Sequence, residues 1–216
     1  MKEEAAILTE KGLDPRLVKF TSDVAAFGLK KIATEGSLPI HAIMLARTDD
    51  EKDSIMIMDA DGYGGADRDL VIELIRFFAY DINADAVAIV AESWITPENI
   101  NPERLEKDMA TFGSVSELPY REEIIMVSLN WKVGGAMITY DMKRDESGNL
   151  IEIKLREASV STDNDRESGR LAQTIYTDED MNHPMFNDRI ARMREILTPV
   201  LPEEDETAQK PSRKIH

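Results

Sequence analysis

The sequence predicts an α+β fold, a mixed and largely antiparallel sheet of about six strands with helices packed against it. Amphipathic helix patterns with clear ends, and short apolar segments joined by turn residues, are the two observations behind this prediction. The elements follow the order α-β-β-α-β-α-β-β-β, and a further helix lies near the C-terminus. Because strands joined by short turns pair with each other, most of the sheet is expected to be antiparallel.

Apolar spacing and end signals define the helices that precede the C-terminal region. Their predicted ranges are 3–11, 15–35, 67–82 and 102–112. The second helix has the clearest ends, because Asp14 is a suitable N-cap, Pro15 suits the first helical position and Gly36 suits the position after the end.

Short apolar segments between these helices are predicted as strands. Their ranges are 40–47, 54–59, 86–91, 123–133, 136–142 and 150–155. The segment 86–91, AVAIVA, is continuously apolar, which indicates an interior strand covered on both faces. The pair Gly134-Gly135 and the stretch DESGN at 145–149 predict the turns between the last three strands.

The character of the chain changes after residue 158. We expect residues 1–158 to form a single α+β domain and residues 159–182 to be a polar linker, because STDNDRESGR offers nothing to bury. Residues 183–201 are predicted to hold an amphipathic helix, and residues 202–216 to be a disordered tail.

Composition limits the partners and the compartment. The chain carries 42 Asp and Glu against 26 Lys and Arg, a formal net charge of −16. A field of this sign repels nucleic-acid backbones and anionic lipid, so we expect no generic nucleic-acid binding and no membrane binding, and it favours a basic partner. The chain has no Cys, and MKEEAAILTEKG has acids where a signal peptide carries basic residues. A cytoplasmic location is therefore expected.

Two short motifs carry a family resemblance. AESW at 91–94 closes an apolar strand, and PYREEIIMV at 119–127 opens the next one. In these features the chain resembles a family of uncharacterised prokaryotic and phage-type proteins, in which a variable Pro-rich insert separates the two motifs. The resemblance implies one domain built around these strands, and it implies no activity, because none is established for the family.

The loop DADGYGGADRD at 59–69 is the densest acidic stretch. Asp59, Asp61 and Asp67 fall at positions 1, 3 and 9 of a calcium-loop frame and could supply oxygen ligands to Ca²⁺ or Mg²⁺. The frame is incomplete, since Leu70 stands where the bidentate Glu belongs. The alternative, which we favour, is a Gly-rich connection whose acids cap the following helix. No cofactor is therefore predicted.

His41 and Glu92 are the candidate catalytic residues. Glu92 closes a predicted buried strand and His41 lies on the first strand, and a His–carboxylate pair can perform general acid–base catalysis. The alternative is a half-buried His41 whose ring is satisfied by a neighbour, with Glu92 placed where its strand meets water. We favour this alternative, because nothing in the sequence places the two residues together.

These observations leave three functions open, and none of them is indicated by a recognised motif. The first is a non-enzymatic, acidic binding or regulatory module that self-associates through the last three strands or the C-terminal helix, or binds a protein partner. The second is an enzyme that uses a divalent cation and the carboxylates of Asp59, Asp61, Asp67 and Glu92. The third is an inhibitor that mimics DNA by presenting carboxylates in place of phosphates.

Overall fold

The computed structural model of the protein describes residues 2–60, 68–162 and 174–197. The helices in these ranges are α1 (Lys2–Glu10), α2 (Pro15–Glu35), α3 (Arg68–Asp81), α4 (Pro102–Phe112), α5 (Asp178–Asn182) and α6 (Phe186–Leu197). The strands are β1 (His41–Arg47), β2 (Asp53–Asp59), β3 (Ala86–Ile95), β4 (Glu122–Trp131), β5 (Gly134–Arg144) and β6 (Leu150–Thr162). The predicted order of strands and intervening helices is confirmed.

The described strands form one sheet in the order β2-β1-β3-β4-β5-β6. Every neighbouring pair is antiparallel, so the sheet is antiparallel throughout rather than mixed. β2 and β6 are its edge strands, and β3 and β4 are its central strands. The α+β class predicted from the sequence is confirmed.

α2 packs on one face of the sheet, over β3 and β4, and α1 packs beside it over β6. Asp14 caps α2 by accepting a 2.8 Å hydrogen bond from the backbone N–H of Arg16, and Gly36 ends the helix in the left-handed region. The apolar core of this face includes Phe20, Val24, Ile32, Ile43, Leu45, Val90, Ile125, Val127, Leu129 and Ile138.

The opposite face of the sheet is buried as well. Residues that alternate with the first core along their strands, such as Met44, Val87 and Ile89, are almost inaccessible. In α3, Leu74 and Ile75 are buried as well, and neither belongs to the core beneath α1 and α2. The continuously apolar part of β3 is therefore covered on both faces, as its sequence predicted.

The turn between β4 and β5 is made by Lys132 and Val133, not by the predicted pair Gly134-Gly135. Trp131 pairs with Gly134 across the hairpin. A Cβ atom on Gly134 would lie 2.5 Å from Cζ2 of the Trp131 ring. The glycine is therefore a strand residue that makes room for the indole, which local turn propensity does not distinguish from a turn residue.

β6 runs to Thr162, whereas the sequence predicted that this strand ends at residue 155 and that a linker begins at 159. Residues 174–177 fall in the same predicted linker, yet Tyr176 is only 3% exposed. Its hydroxyl donates to Glu73 Oε2 over 3.2 Å, and the guanidinium carbon of Arg76 lies 4.3 Å from the centre of its ring. Polar composition alone therefore does not mark the end of the ordered fold. Residues 163–173 lie outside the described ranges.

A second unit begins at Asp178, and its described residues, 178–197, contain α5 and α6. Phe186, Ile190, Met193 and Leu197 recur at helical spacing along α6, so the predicted amphipathic C-terminal helix is present. The predicted tail at 202–216 lies outside the described residues. None of the described helices is long and apolar enough to cross a membrane.

Candidate functional site

His41 is a buried residue at the start of β1, with 5% of its surface exposed. Its Nδ1 lies 2.7 Å from the carbonyl oxygen of Pro39, and because a carbonyl can only accept, Nδ1 carries the proton. The ring meets Phe27 edge to face, with 5.2 Å between the ring centres. The Nδ1 hydrogen bond and the ring contact therefore hold the imidazole inside the fold.

The sheet places Asp59 and Glu92 beside His41 without joining the three side chains. Asp59 is the cross-strand partner of His41 on β2, and Val90 is its partner on β3. Glu92 lies two residues beyond Val90 on the same face. No hydrogen bond or ion pair links His41 to either carboxylate in the described part of the chain. The structure therefore brings the two candidate catalytic residues near each other but forms no acid–base pair from them.

Asp59 ends β2 with an exposed side chain, while Asp61 and Asp67 lie outside the described residues. Within 2–60, 68–162 and 174–197, no group of three or more His, Asp or Glu side chains could hold a metal ion. A Ca²⁺ or Mg²⁺ site at Asp59, Asp61 and Asp67 therefore stays a prediction.

Glu92 belongs to an ion-pair cluster where β3, β4 and β5 come together. Arg144 donates from Nη2 to Glu92 Oε1 over 2.7 Å and from Nε to Glu123 Oε2 over 3.1 Å. A third bond runs from Nη1 to the carbonyl oxygen of Gly148 over 3.1 Å. Burial raises the pKa of Glu92, and the charge of Arg144 opposes this rise only in part.

Arg156 forms a second cluster near the same ends of the strands. It donates to Glu122 over 2.7 Å, to Asp141 over 2.9 Å and to Glu98 over 3.3 Å. Hydrogen bonding to Glu122 is the main cause that raises the pKa of the guanidinium. Both clusters border a groove of about 680 Å³. Each of these two arginines is already paired with two or three carboxylates, so both act as cross-links between strand ends.

The outer edge of β2 is a surface that the sequence reasoning did not identify. Ile55 and Ile57 are 53% and 54% exposed, whereas their cross-strand partners on β1, Leu45 and Ile43, are 2% and 3% exposed. The helix above this face, α2, lies over β3 and β4. The cover therefore ends before it reaches the edge strand.

Ile55 and Ile57 also direct their backbone N–H and C=O groups outward, away from β1. The N–H of Ala60 donates a 2.9 Å hydrogen bond to the carbonyl of Ile40, so these two residues form a hydrogen-bonded pair between β2 and β1. Because bonded and non-bonded pairs alternate in an antiparallel ladder, the even-numbered residues of β2 bond to β1. The N–H and C=O groups of Ile55 and Ile57 are thus directed away from the sheet.

The surroundings of this edge are acidic. Residues 49–59 contain five acidic residues and one lysine. Asp53 and Asp59 flank the two isoleucines and share their face, since side chains alternate along a strand. Arg16 donates to Asp53 and to Asp85, over 2.7 Å in each case, so one guanidinium is divided between two carboxylates.

Comparison with known proteins identifies no relative of this chain: no protein-family model, no curated protein and no solved structure matches it. The family resemblance of AESW and PYREEIIMV accordingly stays a prediction. The geometry of the described residues therefore carries the functional argument.

Proposed function

We propose that this protein is a non-enzymatic binding module that takes up an extended segment of a partner protein at the outer edge of β2. The observation that carries the proposal is the exposure of Ile55 and Ile57, more than half in each case, on an edge strand whose neighbour is buried. A β-strand that adds to a sheet edge gains main-chain hydrogen bonds for affinity and side-chain contacts for specificity.

Between Asp53 and Asp59, β2 lacks the features with which proteins usually protect an exposed edge. Such strands commonly carry Lys, Pro or a bulge at outward positions, which discourages pairing. Here the outward positions between Asp53 and Asp59 are occupied by isoleucine, and the pairing of β1 with β2 is regular over its whole length. A guest strand would bond to the outward N–H and C=O groups of Ile55 and Ile57 and cover their side chains.

The charges favour a different protein over a second copy of this chain. In an antiparallel pair of two β2 strands that sets Ile55 against Ile57, Asp53 faces Asp59 of the second copy at both ends. Like charges directly opposite each other destabilise a strand pair. Self-association through β4–β6 or α6, as the sequence suggests, stays a separate prediction.

The proposal is tested by selecting a displayed random-peptide library against the full chain and measuring amide hydrogen exchange of the resulting complex by NMR. We expect bound peptide to slow exchange at Ile55 and Ile57 by about tenfold or more, because their N–H groups gain partners. The N–H of Met56, which already bonds to β1, should change little. A library that yields no binder, or protection confined to another surface, would contradict the proposal.

Two variants at one position separate the backbone contribution from the side chain. Ile55→Pro removes an outward N–H and leaves the β1 ladder intact, a placement that edge strands tolerate. We expect it to abolish peptide binding while the thermal midpoint changes by no more than about 3 °C. The matched control, Ile55→Val, keeps the donor and an apolar side chain and should still bind.

A further inference from the structure

We infer that the segment bound by β2 has the pattern basic-x-apolar-x-apolar-x-basic. The two basic residues are Lys or Arg, and x is any residue whose side chain points to the other face. The inference rests on the proposed function and specifies the chemistry of the partner. It is carried by the order of side chains along β2 and by the charge of the surface around them.

The order of side chains sets the alternation. Asp53, Ile55, Ile57 and Asp59 lie on one face of β2 and also point their backbone groups outward. A guest strand places its own same-face side chains opposite them, residue for residue. Apolar side chains therefore meet the isoleucines and basic ones meet the carboxylates. The pattern is the same from either end, so it suits both parallel and antiparallel guests.

The charge of the surface selects basic flanks. Arg16 and the cross-strand neighbour Arg47 counter Asp53 and Asp85 in part. Five acidic residues against one lysine nevertheless lie within 49–59, in a chain whose formal net charge is −16. A guest with acidic flanks would add like charge directly opposite Asp53 and Asp59, and a basic guest would add counter-charge.

Three synthetic heptapeptides with blocked ends test the inference by fluorescence anisotropy on the full chain. KTVTVTK has the inferred pattern, ETVTVTE reverses the flanking charges, and KTVVTTK keeps the composition of the first but breaks the alternation. At about 50 mM salt we expect KTVTVTK to bind about tenfold more tightly than either of the others. The advantage over ETVTVTE should shrink at about 0.5 M salt, where exposed charges are screened.

Variants of the protein supply the matching controls. Asp59→Asn should weaken KTVTVTK by about twofold to threefold and should not weaken ETVTVTE, because only the first peptide offers a basic partner. Glu106→Gln removes the same charge from an exposed position on α4 and should leave both affinities unchanged.

The outcomes distinguish this inference from the proposed function. Equal binding of KTVTVTK and ETVTVTE, with both lost in Ile55→Pro, would overturn the basic chemistry and leave strand addition standing. Equal binding of KTVTVTK and KTVVTTK would overturn the alternation. If none of the three peptides binds, or if Ile55→Pro binds them as well as the natural chain does, the inference and the proposed function both fail.

Discussion

Arg144, at the end of β5, donates to Glu92 on β3 over 2.7 Å and so joins two strands that are separated in the sheet by β4. Glu123, on the strand between them, accepts a second bond from the same guanidinium. The side chains of Arg144 and Glu92 are 19% and 24% exposed. This ion pair is therefore partly buried, and together with Glu123 it links three strands.

Replacing the guanidinium should destabilise the sheet. Arg144→Met leaves the carboxylate of Glu92 partly buried without its partner, and we expect the free energy of unfolding to fall by about 1–2 kcal/mol. Urea denaturation measures the change. The neighbouring Lys143, with a side chain that is 68% exposed, provides the control. Lys143→Met should change stability by less than about 0.5 kcal/mol, and equal losses in the two variants would contradict a special role for Arg144.

Glu92 should also give stability a specific pH dependence. Burial raises the pKa of its carboxyl above the usual 4.5 in the folded protein. Between pH 4.5 and the raised pKa of the folded state, the folded protein binds more protons than the unfolded protein. The contribution of Glu92 to stability therefore falls as the pH rises through this window. Relative to the natural chain, Glu92→Gln should therefore gain stability as the pH rises through the range above 4.5.

Urea denaturation at several pH values across this range provides the measurement. Glu98→Gln is the control, because the side chain of Glu98 is 81% exposed and should contribute little pH dependence. A relative stability of Glu92→Gln that stays constant, or that falls as the pH rises, would show that the pKa of Glu92 is not raised.

The helices and strands could be predicted because their signals are local. Asp14, Pro15 and Gly36 mark the ends of α2 through hydrogen bonding and backbone conformation that depend on near neighbours in the chain. The apolar run 86–91 likewise carries its burial on both faces in its composition. Strand order and exposed edges depend instead on which segments meet in space. SIMIMD at 54–59 therefore has the pattern of an ordinary strand, although Ile55 and Ile57 are exposed.

Register errors have the same physical origin. Simple strand alternation would place Ile151 on the same face as Ile153 and Leu155, which pack against the core, but Ile151 is 67% exposed. A bulge shifts the pairing of β5 with β6 between Lys143 and Arg144, so the alternation changes phase at this point. The contact of Glu92 with Arg144 could not be predicted from local sequence signals either, since it joins residues that are 52 positions apart.

The close approach of α2 to the sheet should make Gly28 sensitive to a single methyl group. A Cβ atom at this position would lie 2.6 Å from Cγ2 of Val90, a stiff side chain on a central strand. Overpacking costs about 1–3 kcal/mol, and the better helix propensity of Ala offsets about 1 kcal/mol of this. We expect Gly28→Ala to lose about 1 kcal/mol in urea denaturation. Lys30→Ala, at an exposed position of the same helix, should be neutral, and a stabilised Gly28→Ala would contradict the packing described.

A lysine substitution should leave stability nearly unchanged at Ile57 but lower it strongly at the adjacent Met58. Ile57 is 54% exposed and directs its backbone outward, whereas Met58 is 8% exposed and bonds to β1. Ile57→Lys places a charge in water, so stability should change by less than about 0.5 kcal/mol. The same change should abolish binding of KTVTVTK, because it removes an apolar contact and adds like charge.

Met58→Lys places the same charge inside the fold, and we expect a loss of about 3 kcal/mol or more. Thermal unfolding followed by circular dichroism, together with peptide anisotropy, distinguishes the two effects. Stability that falls equally in both variants would mean that Ile57 is part of the core. Undiminished binding by Ile57→Lys would mean that the peptide is held elsewhere. Loss of binding in Ile57→Lys with stability kept, beside unfolding of Met58→Lys, is the result that assigns the outer edge of β2 to recognition and its inner edge to the fold.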